Sequence, residues 1–171
     1  GSNSGSNVMG GIAGKTISRQ LVPGETSNYR LIVEECSSTG TISIAGPSKV
    51  RASGIVAQTQ GAYRISGSTF SGAIESTDAT KRDVVIGGIM AMADKECVGL
   101  VEGCTFSGRI SAAQAGANNF FGGIYGNNGG AASVVNDCRT TASAYVGCPI
   151  GKSVGMLAGR PNKKGFTVSN C

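Results

Sequence analysis

Ser68-Thr69-Phe70-Ser71-Gly72-Ala73-Ile74 and Cys104-Thr105-Phe106-Ser107-Gly108-Arg109-Ile110 are the two stretches that decide the fold. They begin 36 residues apart and differ at two of seven positions. Each holds a run of alternating side chains, a glycine and an isoleucine, so the same short structural unit occurs twice. Extending the comparison recovers the unit elsewhere. An aliphatic residue stands three positions before a cysteine or serine in Val33…Cys36, Ile65…Ser68, Val101…Cys104, Val135…Cys138 and Val168…Cys171. Glycine follows four residues after the cysteine position at Gly40, Gly72 and Gly108, with Ala142 in the fourth copy. Two residues later come Ile42, Ile74, Ile110 and then Ala144.

A second anchor precedes the first in every copy: Gly10-Gly11-Ile12, Ser53-Gly54-Ile55, Gly87-Gly88-Ile89, Gly122-Gly123-Ile124 and the divergent Gly155-Met156-Leu157. Its aliphatic residue recurs at intervals of 43, 34, 35 and 33. The period predicts an all-β chain, a β-solenoid (single-stranded β-helix) of five degenerate coils of about 34 residues. Each copy offers runs of about four residues, too short to stand alone as a sheet. Stacked in register, every backbone group finds a partner in the coil above or below, at about 4.8 Å. Equivalent positions then form vertical rows. Ile12, Ile55, Ile89, Ile124 and Leu157 are expected to make one buried row, Val33, Ile65, Val101, Val135 and Val168 a second, and Ile42, Ile74 and Ile110 a third. Corner glycines supply either a positive φ or close backbone approach. The stretches 76–83 and 113–119 are expected to project as loops. A helix-turn-helix repeat of similar period is excluded by chemistry, because each glycine in a helix interior costs about 1 kcal/mol.

The composition agrees. The chain has 171 residues, 28 of them glycine, with no histidine and no tryptophan. Residues 1–7 read as a flexible linker or tag remnant, and 8–171 as the repeat domain. The net charge of +5 comes from 15 basic and 10 acidic residues. The basic residues are scattered except for Arg160, Lys163 and Lys164, without the stripe and interleaved aromatics of a nucleic-acid reader. No apolar run is long enough for a membrane-spanning helix.

The segment Gly122-Gly123-Ile124-Tyr125-Gly126-Asn127-Asn128-Gly129-Gly130, followed by Val135-Asn136-Asp137-Cys138, is similar to the GLUG motif. Val101-Glu102-Gly103-Cys104-Thr105-Phe106-Ser107-Gly108 and the closing Val168-Ser169-Asn170-Cys171 resemble its second half. The resemblance covers about four copies and implies a module of a larger bacterial surface or secreted protein, adhesin-like. It implies no catalytic residue, because the motif marks a scaffold.

The chemistry-bearing residues are few. Four of the six cysteines share one repeat position, where Ser68 stands in once. A residue that cannot cross-link replaces cysteine there, so buried free thiols are expected rather than bridges. Cys97 and Cys148 lie outside that row, and the sequence leaves their pairing open. Histidine is absent and the cysteine spacing is not that of a zinc site, so no metal and no cofactor is expected. Gly14-Lys15-Thr16 imitates the end of a phosphate-binding loop, but the required earlier glycine is Met9. Glu34 and Glu102 share a repeat position two coils apart, about 9.6 Å at the backbone, a separation compatible with an inverting glycosidase pair. The expected reading is still two solvated charges. Without histidine there is no Ser-His or Cys-His nucleophile.

The expected function is therefore a non-catalytic extracellular or cell-surface module. It presents loops around Tyr125, Asn127, Asn128 and Tyr145 to a glycan, host or matrix ligand. A polysaccharide lyase or hydrolase and a passive stalk are the alternatives. Neither nucleic acid nor a membrane-spanning segment is expected, and a chain that stops in mid-repeat reads as part of a longer protein whose signal peptide has been removed.

Overall fold

The computed structural model describes residues 7–17, 31–45, 49–77, 83–94, 97–113, 119–128, 132–147, 153–161 and 165–171. These residues form an all-β solenoid with no helix. Five strands make a coil, and coils stack through parallel pairing into five sheets, named A to E in chain order. The third coil is representative: Val84–Gly87 in sheet A, Met90–Ala93 in B, Gly99–Glu102 in C, Thr105–Phe106 in D and Arg109–Ala112 in E. Four complete rounds of five strands are followed by three strands of a fifth. Asn7, placed in the leader by the sequence reading, already belongs to the first strand.

The rows expected from the repeat are present. Ile55, Ile89 and Ile124 are fully buried, and the Ile124 amide donates to the Leu157 carbonyl at 3.0 Å. Leu157 is half-buried, and Ile12, in the first coil, is 47% exposed because a described coil covers it on one side only. In sheet C, Val33, Ile65, Val101 and Val135 pair in register and point inward, while Val168 in the last coil is exposed. Phe70 and Phe106 stack inside sheet D, their centroids 6.1 Å apart. The third row, Ile42, Ile74 and Ile110, is in register, but the equivalent position in the fourth coil is not the one the repeat suggests. Val146, not Ala144, pairs with Ile110. The fourth coil carries two extra residues between its cysteine and sheet E, taken up by a turn in which the Ala144 amide donates to the Thr141 carbonyl at 3.0 Å.

The corner glycines divide by cause. At the A–B corner none of Gly87, Gly88, Gly122 or Gly123 has a positive φ. A β-carbon on Gly87 would collide with the Met90 carbonyl, and one on Gly88 with the Gly123 carbonyl and the Phe106 ring. The corner is tight enough that Val85 and Phe120, on the outward side of sheet A, are buried against Ala91 of sheet B. At the C–D corner the cause is conformational. Glu35, Gly67, Gly103, Asp137 and Asn170, the residue before each ladder cysteine or serine, all have φ between 51° and 59°.

Among the described residues, Cys36, Cys104, Cys138 and Cys171 of the ladder are free thiols. Cys97, Cys104 and Cys138 are buried, Cys36 is half-buried and Cys171 exposed. Cys148, the loop stretches 78–82 and 114–118, and Lys163 and Lys164 lie outside the described residues.

Candidate functional site

Sheet C turns its second residue of each inward pair to the outside, which aligns Glu34, Ser66, Glu102, Asn136 and Ser169 in one outer row. Its first four members, with Glu35, Gly67, Gly103 and Asp137 of the C–D corner, line a groove of about 660 Å³. Glu34 and Glu102 do not face one another across open space. Arg64, on the strand between them, donates from Nη1 to Glu34 Oε1 at 2.8 Å and from Nε and Nη2 to Glu102 Oε1 at 2.8 and 2.6 Å. The guanidinium fills the gap that a glycosidic oxygen or attacking water would need. Glu34–Arg64–Glu102 is a strut across three coils.

The cysteine row behind this corner has a hydrogen-bonding role that small size alone does not explain. Each ladder side chain reaches the carbonyl two residues earlier: Cys36 at 3.4 Å, Ser68 at 3.0 Å, Cys104 at 3.3 Å, Cys138 at 3.3 Å and Cys171 at 3.1 Å. From Ser68 onward each also accepts the ladder amide of the preceding coil, as in Cys36 N–H to Ser68 Oγ at 3.2 Å, Ser68 N–H to Cys104 Sγ, and Cys138 N–H to Cys171 Sγ at 3.3 Å. Serine and cysteine interchange because both supply this donor–acceptor pair. The hydrogen bond shared with Cys104, together with burial, pushes the Cys138 thiol well up from its ordinary range. Such a thiol is a poor nucleophile at neutral pH.

Three of the four residues expected to present a ligand surface lie elsewhere than the sequence placed them. Tyr125, Asn127 and Asn128 belong to a strand of sheet B, Tyr125–Asn128, and all are buried. Tyr125 is an interior residue: its hydroxyl lies 2.7 Å from that of Tyr63, which also meets Ser133 Oγ at 2.9 Å. Burial pushes the Tyr63 phenol up to about 12 and raises that of Tyr125. Asn128 is fully enclosed, and Asn127 sits in register between Met92 and Arg160. The stacking that pairs Tyr125 with Met90 and Ala158 carries the aromatic ring inward, so this segment is wall and not loop. The imitation phosphate loop is likewise a strand, Ala13–Ile17.

Tyr145 is on the surface, 44% exposed, and it opens a second groove. Where sheet D bends into sheet E, the residues flanking the corner glycine both face out. Thr39 and Thr41, Ser71 and Ala73, then Ser107 and Arg109 follow at successive levels, and Ser143 with Tyr145 closes the series. The trough holds about 400 Å³, and among the described residues no carboxylate lines it. The Arg109 guanidinium lies 4.2 Å from the Tyr145 ring centroid. Sequence reading missed Arg109 and the hydroxyl series. The signal was available in Thr39-Gly40-Thr41, Ser71-Gly72-Ala73 and Ser107-Gly108-Arg109, where side chains two apart in extended backbone share a face.

No family model, curated protein or solved structure matches the chain.

Proposed function

We propose that this chain is a non-catalytic, ligand-presenting β-solenoid module, adhesin-like, that works outside the cell or at its surface as part of a larger protein. The D–E trough carries the reading. It is a solvent-open surface of aligned hydroxyls ending in an aromatic ring and a guanidinium, the chemistry that recognises hydroxyl-rich polymers. The resemblance of the 122–138 stretch to the GLUG motif points the same way. The main acidic groove speaks against hydrolysis, since Arg64 occupies the space between Glu34 and Glu102. Cys104 and Cys138 are buried and hydrogen-bonded to each other, one thiol lowered and the other raised, and the chain has no histidine to act as a base for either.

A glycan array run beside a polysaccharide-degradation screen tests the proposal. Binding without degradation, weakened by Tyr145→Ala in a protein of unchanged melting temperature, is the expected result. Degradation of any polymer, abolished by Glu34→Gln or Glu102→Gln, would overturn it. Silence in both screens would favour a passive stalk.

A further inference from the structure

We infer that the D–E trough is a site for an acidic glycan, whose carboxylate or sulfate group docks on Arg109. The inference rests on the reading of the trough as a ligand surface and names the class of ligand. In a stacked-coil architecture every outward charge meets the residues one level above and below, so its environment is set by its row. Arg64 has Ile32 and Leu100 as backbone neighbours, and its guanidinium reaches two carboxylates. Arg109 differs. Its row reads Thr41, Ala73, Arg109, Tyr145, and among the described residues it forms no ion pair. Glu75 is the nearest acidic residue in register, one level down and two positions along, where it pairs with Ser111.

The phenol ring holds the guanidinium without neutralising it. A stacked arginine keeps its in-plane N–H fork available, and that fork matches carboxylate or sulfate oxygens in bidentate fashion. The two-residue insertion of the fourth coil makes this possible. It carries Ser143 and Tyr145 to the end of the trough, with Thr141 Oγ1 and Ser143 Oγ 3.0 Å apart within the turn. Beside Arg109 lies Ser107, and below them the trough continues over Ser71, Thr39 and Thr41; with Tyr145 that is four coil levels, or about 14 Å at the usual strand spacing. An extended sugar chain lying along the axis would meet hydroxyls at each level and a cation near the closed end.

The test is calorimetric titration with three polymers: polygalacturonate, which carries carboxylates, dextran sulfate, which carries sulfates, and unmodified dextran. One or both anionic polymers should bind and dextran should bind at least tenfold more weakly. Arg109→Gln should lose at least tenfold in affinity at unchanged melting temperature, while Arg160→Gln, on another face, should lose less than twofold. The stronger of the two anionic polymers identifies the docking group. Equal losses for both arginine variants would mean diffuse attraction to a positively charged protein and would overturn the inference. Binding of dextran as tightly as the anionic polymers, weakened by Tyr145→Ala, would also overturn it while leaving the ligand-presenting module standing. Absence of binding to all three polymers would remove both.

Discussion

Two corners of the same coil are built from small residues, and they are small for opposite reasons. At the A–B corner Gly88 has an ordinary backbone conformation and no room. At the C–D corner Gly103 has φ +59° and ample room, its closest neighbour to an added β-carbon being the Gly67 nitrogen at 3.8 Å. The first corner is a packing constraint exerted by the neighbouring coil and by Phe106. The second is a constraint of the chain on itself, relieved by any residue that tolerates the left-handed region. The sequences bear this out: the C–D corner admits aspartate, asparagine and even glutamate, whereas the A–B position of Gly88 admits only glycine until the divergent last coil, where Met156 is exposed.

Substitutions can pull the two corners apart. Gly88→Ala should cost about 3 kcal/mol or more, since the methyl must displace backbone of the adjacent coil and a fully buried ring; urea denaturation would read this as a lower midpoint. A loss below 1 kcal/mol would mean the corner can relax. Cys104→Ala should cost about 2 kcal/mol, because the Ser68 amide is left unsatisfied in the interior. Cys104→Ser keeps the donor and acceptor and should recover most of that loss in the same experiment. Gly103→Ala should cost about 1 kcal/mol, the penalty of the left-handed region with nothing to collide with. Glu35→Gly is the smallest effect and opposite in sign. Removing the strain at φ 52° outweighs the added freedom of the unfolded chain, for a gain of about 0.5 kcal/mol. A destabilised Glu35→Gly protein would show that Glu35 contributes through its side chain instead.

This division explains how far the sequence could be read. Periodicity was sufficient for the fold, because a row position is visible as soon as five copies are aligned, and Ile89 or Val101 could be assigned to the interior from that alone. The cause behind each glycine was not visible, since a repeat shows that a position is small without showing whether space or φ demands it. The site was harder. Tyr125, Asn127 and Asn128 sit in a segment whose glycines and amides look like a loop in isolation, yet the coil below supplies Met90 and Met92 as strand partners. Tyr145 was found by its type, but the registration that brings Arg109 over it depends on a two-residue insertion whose effect on stacking the one-dimensional pattern hides.

Tyr63 carries a consequence for how the coils share stability. It springs from the second coil, crosses the third at Gly99, where a β-carbon would strike its ring, and delivers its hydroxyl to Tyr125 and Ser133 in the fourth. Repeat proteins are commonly treated as linear chains of units that sense only adjacent units. Here one side chain introduces a second-neighbour term. Fraying of the fourth coil would strand a buried phenol in the second, so thermal melting of the middle of this solenoid should be sharper than the sum of its nearest-neighbour interfaces. Hydrogen exchange in the strands Tyr63–Ser66, Gly99–Glu102 and Ser133–Asn136 should accordingly report one shared opening energy.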